Sequence, residues 1–281
     1  MKRYTIARIC IWSAVILILL CALIFGLAFP YRMWGAEDST MTPLVLGESI
    51  QLSPGDVSAL DIDWSSGTIT IQAGDVDAIW IREDGAEDED HALCWKIRNG
   101  KLNIQSFRKR RFWGIQLGSD SSKDLTITFP RDWVCHELEL DTASADVFAR
   151  DLTVYEVDVD SASTDMLFEN CAVQELDIDT ASGSVDYSGT LQELDMDAAS
   201  GDFRGSLSNT PKELQMDSAS GSLELVLPSD AGFTINMDSL SNDFVTDFKT
   251  TRRDGRCICG DGRCEIDISG MSSGVTIRKS E

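Results

Sequence analysis

The sequence predicts an all-β protein: a right-handed parallel β-solenoid with coils of about 19 residues, preceded by one transmembrane helix. Three observations carry this reading. One pattern recurs in six consecutive copies, apolar residues alternate with period two inside every copy, and a charge-free apolar run stands near the N-terminus.

That run comes first along the chain. Residues 9–29, ICIWSAVILILLCALIFGLAF, contain no charge. At about 1.5 Å per residue such a helix spans a hydrocarbon core of about 30 Å. Signal-peptide cores are shorter, about 7–15 residues, which favours a retained anchor. The small-x-small triplet Gly26-Leu27-Ala28 keeps cleavage open as the alternative. Lys2, Arg3 and Arg8 flank the run on one side, against Arg32 alone before Glu37 and Asp38 on the other. The positive-inside bias puts residues 1–8 in the cytoplasm and the rest outside the cell membrane. Residues 30–57, with Pro43, Pro54 and Gly55, read as a stalk and entry segment, and residues 58–281 as the solenoid.

The repeat governs the remainder. Leu138–Phe148 (LELDTASADVF), Val157–Leu167 (VDVDSASTDML), Leu176–Asp186 (LDIDTASGSVD), Leu194–Arg204 (LDMDAASGDFR), Leu214–Glu224 (LQMDSASGSLE) and Ile235–Val245 (INMDSLSNDFV) begin 19, 19, 18, 20 and 21 residues apart. An outlying copy, Leu60–Thr70 (LDIDWSSGTIT), precedes them, and a degenerate one, Ile266–Ile277 (IDISGMSSGVTI), closes the chain. Within each copy the first and third positions are apolar, as in Leu176/Ile178 and Leu194/Met196, with acids between. This is the period of a strand with one buried face. A second alternating stretch follows, with Ile69, Val147, Met166, Val185, Phe203, Leu223 and Phe244 as its inward residues. Two strands and two turns per copy are too little to bury an apolar face, so the copies must stack, about 4.8 Å apart. Gly67, Gly183, Gly201 and Gly221 follow the turn serine, where a positive φ carries no penalty for glycine. An antiparallel sandwich offers no reason for every second strand to share a sequence.

Stacking also predicts a column of carboxylates: Asp141, Asp160, Asp179, Asp197, Asp217 and Asp238. Neighbours about 4.8 Å apart repel by about 3.5 kcal/mol at an effective dielectric near 20. Either hydrogen bonds from the turn N–H groups and solvent, or a row of cations, must offset this.

Between the outlying copy and the array, Glu83–Asp90 (EDGAEDED) reads as a solvated loop. Trp95–Ile104 reads as two strands around an Asn-Gly turn, and Leu125–Pro130 (LTITFP) as a further strand. Arg108, Lys109, Arg110 and Arg111, beside Phe112 and Trp113, form a basic stretch. It is either a site for anionic cell-wall polymer or lipid headgroups, or a loop that pairs within an acidic domain.

The LxLDxASG copies, the LTITFP strand and the closing IDISGMSSGVTI segment resemble the bacterial "putative-adhesin" domain of unknown function, the LiaG-like group of envelope proteins. The resemblance covers about residues 55–278. It implies an extracytoplasmic, membrane-tethered β-solenoid with a link to envelope-stress regulation, and it supplies no catalytic motif.

Charge excludes one class of partner. With 24 Lys+Arg against 47 Asp+Glu the net charge is −23, and such a domain repels nucleic-acid backbones. Enzyme motifs are missing too: no Walker loop, GxSxG, HExxH or dinucleotide fingerprint is present. The aspartates recur identically in every coil, as structural groups do, so the expectation is no enzyme, with no catalytic, cofactor or metal residues assigned. Of eight cysteines, Cys10 and Cys21 lie in the apolar run. Cys94, Cys135 and Cys171 are isolated. Cys257, Cys259 and Cys264 form CxC-x4-C, in which a disulfide from Cys257 or Cys259 to Cys264 is expected, the pairing among the six being otherwise open. Three thiols lack the fourth ligand of structural zinc. The expected function is binding or scaffolding at the cell envelope, with an envelope protein or wall polymer as partner. The alternative is an accessory role in envelope-stress sensing through a membrane partner.

Overall fold

The computed structural model describes residues 41–280 apart from 90, 107–121 and 254. The expected anchor (residues 9–29) and the basic stretch Arg108–Arg111 lie outside the described residues. No helix among the described residues is long and apolar enough to cross a membrane.

The described chain begins with β1 (Thr42–Pro43) and β2 (Ser49–Leu52), passes a 3-10 turn at Pro54–Asp56, and makes its first coil as β3 (Ala59–Gly74). It then leaves the stack through β4 (Ile79–Asp84), β5 (Cys94–Arg98), β6 (Lys101–Gln105) and β7 (Lys123–Pro130). Coiling resumes in β8 (Val134–Arg150), β9 (Thr153–Ser163), β10 (Met166–Leu207), β11 (Glu213–Leu227) and β12 (Phe233–Thr246). The 42 residues of β10 wind round more than two coils without a break. A hairpin of β13 (Thr250–Arg253) and β14 (Arg256–Cys259) precedes the last strand, β15 (Cys264–Lys279).

Coils pair in parallel and in register, so each repeat position becomes a column. Leu60 aligns with Leu138, Leu138 with Val157, Val157 with Leu176, and Leu194 with Leu214. Two positions on, Ile62, Leu140, Val159, Ile178, Met196 and Met216 form a second inward column, every member at most 2% exposed. The second strand of each coil supplies Ile69, Val147, Met166, Val185, Phe203 and Leu223, all buried, with Phe244 partly buried at the end. Each such side chain contributes about 1.5–3 kcal/mol relative to exposure, and stacking removes both its neighbours' faces from water at once.

The turns follow two rules rather than one. Gly67 and Gly183 have φ of +105° and +141°, while Gly201 and Gly221 do not lie in the left-handed region. Gly221 is required for space: a Cβ there would lie 2.0 Å from the carbonyl oxygen of Gly201.

The first end of the stack is a cap of antiparallel strands. β6 pairs with the first half of β3 and β7 with its second half, so together they stand in for one coil. Asn99 and Gly100, both at positive φ, make the expected hairpin turn between β5 and β6. β2 pairs with β4, and Ile50 is buried. β1 and β2 therefore pair into the same sheet as the coils. A buried ion pair ties this cap together. Lys123 Nζ donates to Glu83 Oε1 at 2.7 Å, to the His91 carbonyl at 2.6 Å and to the Ser106 carbonyl. The Leu93 N–H donates to Glu83 Oε2, and Trp64 Nε1 donates to the Lys123 carbonyl. Trp64 occupies the turn position that Thr142, Ser161 and Thr180 fill in later coils.

At the other end, spatial order departs from chain order. β15 lies between β11 and β12, parallel to both. Ile268 aligns with Met216 on one side and with Met237 on the other. The expectation that coils stack strictly in sequence order fails at this step. β12 is the outermost full coil, and β14 pairs with its start.

Candidate functional site

The flattened solenoid presents two outward faces. The first strands of the coils carry the acidic face. Asp63, Asp141 and Asp160 align, then Asp160 with Asp179, and Asp197 with Asp217. Two residues earlier Asp61, Glu139, Asp158 and Asp177 form a parallel column, and Glu137, Glu156 and Glu175 a third. The predicted Asp column therefore exists up to Asp217. Between Asp217 and Asp238, however, the structure places Ser269, whose hydroxyl donates to Asp217 Oδ1.

At two coils an aspartate that stands after the turn satisfies an N–H of the following coil. Asp165 Oδ1 accepts from the N–H and hydroxyl of Ser184 at 2.9 and 2.8 Å, and Asp202 Oδ1 from those of Ser222 at 2.9 and 2.7 Å. These carboxylates stand after the turn, and each reaches into the next coil. Asp179 and Asp197 make no hydrogen bond or ion pair among the described residues. Burial pushes Asp197 up to about 6, with Asp217 and Asp179 adding to it. Asp177 reaches about 6 by burial and then the carboxylates of Asp195 and Asp158. Among the described residues no group of His, Cys, Asp or Glu is arranged to hold a metal ion.

The second strands carry a different surface. A groove of about 310 Å³ runs along the stack there. One wall is the column of Leu167, Asp186, Arg204, Glu224 and Thr276, and the other is Ser188, Ser206, Val226 and Arg278. Arg204 pairs with Glu224 in register, and Ser206 with Val226. The Arg204 guanidinium lies 3.0 Å from Asp202 and 3.8 Å from Asp186. Between the walls the floor passes over Tyr187, Gly205 and Leu225. Gly205 faces inward, where a Cβ would meet the core side chains of Phe203 at 2.9 Å and Leu225 at 3.0 Å. The repeat signalled that this face exists. It did not signal the groove, which depends on which small and long side chains meet in register.

The cysteines play no part in either face. All six described thiols are free. Cys259 and Cys264 both align with Phe233, one on each side. Two strand spacings, about 9–10 Å, then separate them, beyond the reach of a disulfide. The expected bridge is therefore absent, because β15 inserts on the side of β12 away from the β14 hairpin. Burial pushes Cys135 and Cys264 up to about 12 and Cys171 to about 11, so these thiols behave as core hydrophobes.

Several solved structures are similar to this chain. A putative adhesin from Bacteroides fragilis is 12% identical, with 87% of this chain and 99% of that one covered and a TM-score of 0.47. A putative cell adhesion protein from Clostridium sporogenes is 13% identical, with 83% and 98% covered and a TM-score of 0.42. A putative lipid binding protein from Parabacteroides distasonis is 12% identical, with 83% and 96% covered and a TM-score of 0.37. No curated protein matches the chain. The profile of the family described as Toastrack DUF4097 matches residues 119–278, that is 160 of 281 residues, and with more than half of its length matched the chain belongs to the Toastrack DUF4097 family.

Proposed function

We propose that this protein is a membrane-anchored binding or scaffolding module of the cell envelope, held by residues 9–29 with its coils, wound right-handed, outside the cell. It acts without catalysis, through the flat faces of the stack. The observation that carries this is the in-register ladder: each face repeats the same positions coil after coil, which suits contact with a partner that is itself extended or repetitive. The apolar run and its flanking charges support the anchor and its orientation.

Two measurements test this reading. In intact, wall-stripped cells, added protease should digest the domain while a cytoplasmic marker survives; digestion only after lysis would overturn the orientation. The full-length chain in detergent should be retained on isolated envelope material. Equal recovery from that material and from bare beads would rule out envelope binding.

A further inference from the structure

The two sheets of the solenoid end unequally at the far end of the stack. On the side of the first strands, β14 pairs with the start of β12 and β13 pairs with β14, so that sheet runs two strands beyond the last coil. On the side of the second strands, no strand among the described residues pairs with the outer edge of residues 243–246. The result is a step, with a strand edge as one wall and the hairpin as the other. The core is open here. Met237 and Phe244 are only partly buried. Met216 and Ile268, and Leu223 and Val275, hold the same positions in the neighbouring coils and are at most 3% exposed. The hairpin turns one charge toward this opening. Arg252 stands opposite Cys257, and Cys257 opposite Ile235 of the core, and residues directly opposite in a ladder share a face. Arg252 therefore lies on the inner side, yet it is exposed, as is all of β13.

An open strand edge accepts another strand through main-chain hydrogen bonds. Charge selects which strand. Residues 249–263 carry five basic residues, Lys249, Arg252, Arg253, Arg256 and Arg263, against Asp254 and Asp261, in a chain whose net charge is −23. A second copy offering the same end would set hairpin against hairpin, with like charges facing each other. An inward-pointing charge also disfavours a purely apolar strand, which would leave the guanidinium desolvated and unpaired. We infer that the step accepts an extended segment of a partner protein, one that sets a carboxylate against Arg252 and an apolar side chain against Phe244. Side chains at i and i+2 of one strand lie on one face, so these two groups define a short recognition pattern. The step is separate from the repeated faces invoked for envelope binding, and neither reading depends on the other.

The probe is a dye-labelled nonapeptide, SSTETVTSS, titrated by fluorescence anisotropy into the full-length chain in detergent. Versions with glutamine or lysine in place of glutamate are titrated beside it. The glutamate peptide should bind saturably and at least fivefold more tightly than the glutamine peptide, and it should slow amide exchange at residues 243–246. Arg252→Gln should erase that preference. Arg252→Glu should reverse it in favour of the lysine peptide, a gain that misfolding does not produce. Absence of saturable binding, equal affinities for the three peptides, or protection confined to other strands would overturn the assignment. So would a wild-type dimer that itself shields residues 243–246, since a second copy would then be the occupant. Loss of retention on envelope material by a chain that still discriminates these peptides would sink the broader reading and leave this one standing.

Discussion

Ser269 donates its hydroxyl to Asp217 across 52 residues of sequence. It stands in the acidic column where the repeat alone would set Asp238 against Asp217. A neutral donor thus separates two carboxylates that would otherwise be neighbours, and it hydrogen-bonds one of them. The insertion of β15 between β11 and β12 is what brings it there.

Replacing that residue tests the arrangement. Ser269→Ala should lower stability by about 1 kcal/mol, the loss of one half-buried hydrogen bond to a carboxylate. Ser269→Asp should cost more, since it joins Asp217 and Asp238 into one unbroken run of carboxylates. The gap between the two variants should narrow in high salt. Thermal unfolding of both variants at low and high ionic strength measures it, and equal melting temperatures would place Ser269 outside the column.

The acidic face should make stability depend on pH. Asp177 and Asp197 titrate near 6 in the folded protein against an ordinary value of 3.8. The folded state therefore holds protons that the unfolded chain releases between those values. The resulting stabilisation is complete below about 3.8 and is lost as pH rises through 6. The melting temperature should climb as pH falls from 7.5 to 5. Asp197→Asn should raise it at pH 7.5 and flatten the profile, and an unchanged slope in that variant would assign the dependence to other groups.

Inside and outside are separated by one residue. Met196 has no exposure and Asp197 lies beside it on the outer face. Met196→Asp should abolish cooperative unfolding, because an unpaired buried carboxylate costs several kcal/mol. Met196→Leu should cost under about 1.5 kcal/mol. Circular dichroism melts of the two separate these outcomes.

The buried Lys123–Glu83 pair, whose side chains are 3% and 2% exposed, should behave as a coupled unit. Removing either partner alone (Lys123→Met or Glu83→Leu) should cost about 3–5 kcal/mol by stranding the other charge. The double variant should cost less than the sum. Denaturant melts of the cycle give the coupling, and strict additivity would mean that the pair does not act as one.

Reductant should leave the melting temperature unchanged, since none of the six described cysteines is bridged. Pulsed alkylation of the native protein should modify Cys257 first among them, with Cys264 and Cys135 reacting only on unfolding. Mass spectrometry of the digested protein identifies the order, and early modification of Cys264 would contradict its burial.

Much of this architecture was legible in the sequence because it depends on short-range periodicity. Alternation at i and i+2 assigned Leu176, Ile178 and Met196 to the core, and the Asn99-Gly100 pair marked its hairpin, since both signals lie within a few residues of the chain. The offset of about 19 residues set the coil length and hence the columns, from Leu60 through Leu214 and from Asp141 through Asp217. Tertiary structure decided what repetition leaves degenerate. When every copy presents the same edge, β11 accepts β12 or β15 equally well by pattern, and only the packing of the whole end puts Ser269 beside Asp217 and parts Cys259 from Cys264. The Lys123–Glu83 pair and the groove beneath Arg204 likewise join residues far apart in sequence, where burial and register, rather than local composition, determine which groups meet.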